Sequence, residues 1–179
     1  SAPGMRAPTT QVDVASALPA TIEAVLVDEK EKKKKGQVLA RLDGLIGLEP
    51  VAEHEKEKGL VNIWADVPYQ DEFWLGNLRA LEELLRAVGL TPNTIFGVHR
   101  GLANIRRIPK AEFNLLISPW VGLTNVQHMQ EKFGTPYLHW PTLPIGAFET
   151  SKFLRAVADY ARLDRTKVEE FIREKEAYY

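Results

Sequence analysis

From residue 60 onward two kinds of apolar pattern take turns along the chain. The first is a nearly unbroken apolar run: "LVNIWADV" at 60–67, "TPNTIFG" at 91–97, "AEFNLLIS" at 111–118 and "PYLHW" at 136–140. Short runs without alternation fit strands buried on both faces of a parallel sheet. The second is a helical stripe. Trp74, Leu78, Leu81, Leu85 and Val88 recur at spacings that gather them on one side of a helix over 72–88. Asp71 is placed to cap its start, and Gly89 to close it in a left-handed conformation.

The same reading predicts helices over 101–108, stopped by Pro109, and over 121–133, ended by Gly134. Two more close the chain, over 150–162 and 164–178. Leu154, Val157 and Ala161 share a face of the former; Val168, Phe171 and Ile172 share a face of the latter. Thr166 followed by Glu169 reads as a capping box. Strand and helix alternate with short loops, which requires parallel strands joined by crossovers. The fold expected is therefore α/β: a doubly wound, mainly parallel sheet of four to five strands with helices on both faces.

Residues 1–59 carry a weaker pattern, expected to form a strand or helix and a charged loop packed on the α/β domain of 60–179. "ASALPATIEAVLVDEK", 15–30, is apolar enough for a helix with Pro19 in its first turn. "KEKKKKGQ" and "EHEKEKG" read as solvated loops around "VLARLDGLIGL". "KKGQVLARLDG" also has the look of a biotinyl or lipoyl carrier hairpin. It lacks the lysine flanked by methionines, since Met5 and Met129 lie elsewhere.

Charge and composition narrow the chemistry. Twenty-three basic residues against 24 acidic ones leave a net charge of −1, so no overall field draws the chain to nucleic acid or a membrane surface. No apolar run approaches the roughly 18 residues of a spanning helix, and no signal stretch opens the sequence. These features point to a cytoplasmic protein. The first residue is Ser1, which suggests a processed protein or an excised segment. Cysteine is absent, so neither a disulfide nor a thiolate-held iron–sulfur cluster can be built from this chain alone.

Several polar groups admit two readings. Asp66, Asp71 and Glu72 could hold a cation or act as an acid–base pair, but they better suit capping a helix and favouring its positive end. His99, Arg100, Arg106, Arg107 and Lys110 could grip a carboxylate or phosphate, or form a solvated helix face. Among the four histidines, His54, His99, His128 and His139, no short paired spacing marks a zinc site. His128 and His139 fit hydrogen-bonded packing residues better than ligands. No spaced glycines form a dinucleotide loop after the first strand.

Three longer stretches carry a resemblance: "VNIWADVPYQDEFWLGNLRALEELLRAVGLTPNTIFG", "IPKAEFNLLISPWVGLTNVQHMQEKFGTPYL" and "LPIGAFETSKFLRAVADYA". They resemble the nitrogenase component 1 family, which includes molybdenum–iron protein subunits, cofactor-assembly scaffolds and dark-operative protochlorophyllide reductase subunits. Within them, "EKFGTPYLHWPTLPIGAFETSKFLR" is similar to the family's run of helix end, strand, proline–glycine turn and next helix. The resemblance implies a Rossmann-like domain whose strand-end loops, Ser118 to Gly122 and Trp140 to Gly146, border a groove.

It also implies one cofactor-facing position. In α-type subunits a cysteine follows a strand of this kind and anchors the iron–molybdenum cofactor; here Ser118 stands there, after Asn114, Leu115, Leu116 and Ile117. A hydroxyl is a poor substitute for thiolate on iron. The departure favours a β-type molybdenum–iron-like subunit, of which this chain is a single-domain fragment. The implied parent is an oxidoreductase carrying iron–sulfur and molybdenum clusters. It would perform ATP-coupled multi-electron reduction in nitrogen fixation, with a partner subunit, its own other domains and an iron protein donor. This chain would be scaffold, holding no catalytic residue, metal or cofactor of its own and inactive alone. Two alternatives stay open: a stand-alone binding module for a tetrapyrrole, metallocluster or protein partner, and a cofactor-assembly scaffold subunit.

Overall fold

A computed structural model describes residues 48–65, 71–95, 101–118 and 122–177. Four strands, β1 (Glu57–Ala65), β2 (Thr91–Thr94), β3 (Ala111–Ile117) and β4 (Tyr137–Trp140), form one sheet in the order β2-β1-β3-β4. Every neighbouring pair runs parallel. The helices are α1 (Trp74–Ala87), α2 (Leu102–Arg106), α3 (Leu123–Phe133), α4 (Gly146–Tyr160) and α5 (Arg165–Glu176). The helix expected over 15–30, its charged flank before residue 48 and the carrier-like hairpin lie outside the described residues.

Alternation along each strand sorts the core into two layers. Val61, Ile63, Phe113, Leu115 and Ile117 face one way and pack with Leu78, Leu81 and Leu85 of α1. Phe153, Leu154 and Val157 of α4, with Val168 and Ile172 of α5, complete that layer. Trp64, Leu116 and Ile95 face the other way, against Ile105 of α2 and Val126, Met129 and Phe133 of α3. Helices cover both faces, as a doubly wound sheet requires.

The second face is interrupted by a row of amides. Asn62 pairs in register with Asn93 on β2 and with Asn114 on β3, and all three are buried. Asn62 Nδ2 donates to Asn114 Oδ1 at 2.9 Å and to Ile108 O at 3.1 Å. Asn93 Nδ2 donates to Asn62 Oδ1 at 2.8 Å and to Asn104 O at 3.0 Å, and Asn104 Nδ2 returns a bond to Asn93 Oδ1. At the other end Asn114 Oδ1 also accepts from Trp64 Nε1, and Asn114 Nδ2 donates to Thr135 O. Buried amides of this kind must be partnered to be tolerated.

The element borders differ from expectation for local reasons. β1 begins at Glu57 rather than at residue 60; Gly59, at φ 77°, takes up a register shift between Glu57 and Val61. "EHEKEKG" is thus not a free loop: residues 53–55 make a 3₁₀ turn, and the Lys56 ammonium donates to Phe133 O and Thr135 Oγ1. Its partial burial lowers the Lys56 pKa against the opposing pull of Glu53.

Pro109 does not end α2 directly but lies within a 3₁₀ turn over Ile108–Lys110. α4 starts at Gly146, four residues ahead of Thr150, with Gly146 at φ 81°. α5 is capped by Asp164, whose carboxylate accepts from Thr166 N–H at 3.0 Å, so the proposed Thr166 cap is displaced by the stronger acceptor before it. Gly89 and Gly134 close α1 and α3 with positive φ, as expected. Among the described strands both outer ones carry proline: Pro92 lies within β2, and β4 is bracketed by Pro136 and Pro141.

Candidate functional site at the carboxyl edge of the sheet

The strand order reverses direction between β1 and β3. From β1 the chain moves outward to β2, then crosses back beyond β1 to β3 and on to β4. In open α/β sheets the crevice outside the carboxyl ends of two such strands is the usual ligand position. Here those ends are Ala65 and Ile117, which are paired to each other. Ser118 follows Ile117 directly, so the residue singled out by sequence sits at this switch point, half-buried.

Local chemistry fixes how β3 hands over to α3. Gly122 caps α3 at φ 95°, and a Cβ there would stand 2.9 Å from Leu116 Cδ1. Both the backbone angle and the space call for glycine. From the neighbouring strand, His139 Nε2 lies 2.8 Å from Ser118 O.

β4 ends in Trp140, whose ring meets Phe153 edge-on at 5.7 Å, with Lys152 Nζ 5.9 Å from its centroid. Its indole Nε1 is buried without a partner among the described residues. The proline-rich turn beyond it is tied down where Thr150 Oγ1 donates to Pro144 O at 3.0 Å.

The helices that leave this edge expose apolar side chains. Phe73 before α1, Leu123 at the start of α3, and Ile145 and Phe148 at the start of α4 are 72%, 40%, 77% and 76% exposed. Each opens a helix that follows a strand, so all four belong to the same end of the sheet as Ser118.

The remaining candidates divide between the two ends of the sheet, with Asp71 and Glu72 at this same carboxyl end. Asp71 serves the helix: Oδ1 accepts from Phe73 N–H at 2.8 Å and Oδ2 from Asn77 Nδ2 at 3.2 Å. Glu72 is exposed. Arg106, Arg107 and Lys110 flank the 3₁₀ turn that leads into β3, at the opposite, amino end of the sheet. Arg107 is paired there with Glu57 at 2.5 Å rather than presented to an anion. His128 is half-buried on α3. Asp66, His99 and Arg100 lie outside the described residues.

Sequence reasoning did not single out the His139–Ser118 contact, which depends on the β3–β4 register. It also missed the amide row, although an asparagine recurs near the start of three successive strand segments, "LVN", "TPN" and "EFN".

Among the described residues no group of three or more His, Asp or Glu side chains could hold a metal ion. With no cysteine in the sequence, and an oxygen donor at Ser118, the donor set does not suit an iron–sulfur cluster. Among the described residues no helix is long and apolar enough to cross a membrane.

Comparison with known proteins adds an independent line. The family model described as "Nitrogenase component 1 type Oxidoreductase" matches residues 10–179. The B subunit of light-independent protochlorophyllide reductase from Crocosphaera subtropica is 30% identical over 102 residues, covering 56% of this chain and 20% of that protein. Its counterpart in a Bradyrhizobium species is 35% identical over 91 residues, 49% of this chain and 17% of its own length. That of Angiopteris evecta is 32% identical over 92 residues, 50% and 18% respectively. The matched region thus spans about a fifth of these relatives.

Proposed function

Because the chain belongs to the nitrogenase component 1 type oxidoreductases, we propose that it is one α/β domain of a reductase subunit of the B type. The intact assembly would couple ATP hydrolysis to multi-electron reduction, in the cytoplasm, with a partner subunit and an iron protein-like electron donor. The names of the similar proteins favour protochlorophyllide as substrate. The molybdenum–iron, nitrogen-fixing form is the narrower alternative, and Ser118 in place of a thiolate speaks against a cofactor anchored at that position.

The observation that carries this reading is the placement of Ser118 and Gly122 at the switch point of a parallel sheet. In this role the chain binds no cluster. It supplies a rigid edge against which other parts of the assembly seat, and the thiolates of any iron–sulfur group come from elsewhere. Backbone turns fixed by Gly122, Pro141 and Pro144 keep that edge in one shape at little entropic cost on assembly.

The test is reconstitution of the natural reading frame with its partner subunit and ATP-hydrolysing component. ATP-dependent loss of protochlorophyllide absorption is expected from the assembly and none from the 179-residue chain alone. An assembled complex that reduces nothing, beside an isolated chain that binds a tetrapyrrole tightly, would replace the reductase by a binding module.

A further inference from the structure

We propose that the amide row is a coupling device: it joins the docking of α2 to the seating of the β4 entry on β3, so that the two segments loosen together. The inference is independent of the reductase reading above.

The polarity of the row is set at its margins. The carbonyl oxygens of Asn104, Ile108 and Thr135 can only accept, and Trp64 Nε1 can only donate. Asn93 and Asn62 therefore turn Nδ2 toward Asn104 O and Ile108 O, and Asn114 turns Nδ2 toward Thr135 O. With those orientations every amide-to-amide bond points the same way, from Asn104 to Asn93, to Asn62, to Asn114. Reversing Asn62 would set donor against donor on one side and oxygen against oxygen on the other. Bonds aligned head to tail strengthen one another, so losing one weakens the rest.

The two ends of the row rest on different segments. α2 has five residues, too few to persist as a helix without docking. Its hold on the sheet includes buried Ile105 and the exchange of bonds between Asn93 and Asn104. At the far end Thr135 is fully buried ahead of β4, its carbonyl held by Asn114 and its hydroxyl by Lys56. Asn114 N–H donates to Pro136 O at 2.8 Å, a rung between β3 and the β4 entry. Lifting α2 removes the donor from Asn93 Oδ1, and the loss passes along the row to Thr135. Coupling of this kind is reciprocal, so freeing the β4 entry loosens α2.

Hydrogen exchange on the 179-residue chain and two variants tests this. Arg107 N–H, bonded to Asn104 O at 3.2 Å, reports on α2, and Asn114 N–H on the β4 entry. Leu90 N–H, bonded to Leu85 O at 2.9 Å, and Val168 N–H, bonded to Asp164 O at 3.3 Å, report on the opposite face. In N104A the Arg107 and Asn114 amides are expected to exchange about three- to tenfold faster, with Leu90 and Val168 unchanged. Alanine is a better helix former than asparagine, so α2 gains no reason of its own to fray. N104D keeps the shape but sets an acceptor where Asn93 Oδ1 needs a donor, and should quicken both amides at least as much.

A rise confined to Arg107, an equal rise at all four amides, or an Asn114 rate unchanged in either variant would overturn the coupling. None of these readouts needs substrate. A silent reductase assembly therefore leaves the coupling standing, and uncoupled segments leave the reductase reading standing.

Discussion

The two faces of the sheet are built on different principles. On the α1, α4 and α5 face the strands present mainly apolar groups, the buried polar exception being Thr94 of β2, whose hydroxyl donates to Glu82 of α1. On the α2 and α3 face three asparagines lie side by side across β2, β1 and β3, each satisfied by the next. A one-residue slip of any strand would turn its amide into the apolar layer, and a two-residue slip would leave it opposite hydrocarbon. Apolar packing holds the sheet together; the amides select which sheet it is.

Large-to-small changes on the two faces sharpen that contrast. Phe153→Ala should cost about 3–5 kcal/mol, read from the urea midpoint, with strand pairing unaltered. Asn114→Ala should cost about 2–4 kcal/mol, because Asn62 loses an acceptor and a cavity opens. The triple change N62L/N93L/N114L separates the roles. Its stability should fall by less than the three single losses summed, the cost being the asparagine partners lost by Trp64 Nε1 and Asn104, while its amide spectrum broadens as registers mix. A triple variant with one sharp native-like spectrum would remove the register role from the asparagines.

Gly122→Ala comes next, at about 1–3 kcal/mol, from a left-handed φ and a crowded Leu116. Its exchange rates should rise near α3 and leave α1 untouched. If the loss were spread evenly over both faces, the turn would not be a separate unit.

The smallest effect belongs to the apolar face's outer clamp. Arg155 Nε and Nη2 donate to the two Glu169 oxygens at 2.8 and 2.9 Å, joining α4 to α5. Chiefly through that hydrogen bonding, Arg155 lowers the Glu169 pKa, against the opposing effect of burial. The unfolded chain then takes up the proton first as pH falls. The clamp's contribution is full above the usual glutamate range and is lost as pH drops through the lowered folded value. The pair is solvent-screened, so the gain is slight. The advantage of wild type over E169Q should shrink as pH falls from above the usual glutamate range through the lowered folded value; a constant difference would mean the clamp adds nothing.

What could be read from the chain follows from where each signal resides. The strand cores were legible because buried runs such as "LLI" leave no other home for their side chains. The start of α4 was hidden, since Ile145 and Phe148 face outward and break the apolar stripe that marks a helix. At α5, Asp164 and Thr166 were both able to cap, and only the folded geometry separates them. Ser118 was found by resemblance, whereas its tie to His139 depends on the pairing of β3 with β4. The amide row was present as three recurring asparagines, but a pattern of that kind acquires meaning only once the register is known.

The prolines at the sheet margins have a consequence for life in a crowded solution. A parallel sheet with bare outer strands invites accretion of further chains by backbone pairing, the first step toward fibrils. Pro92 withholds a donor from β2, and Pro136 and Pro141 limit β4 to four residues. Among the described strands, each margin is therefore a poor template for growth.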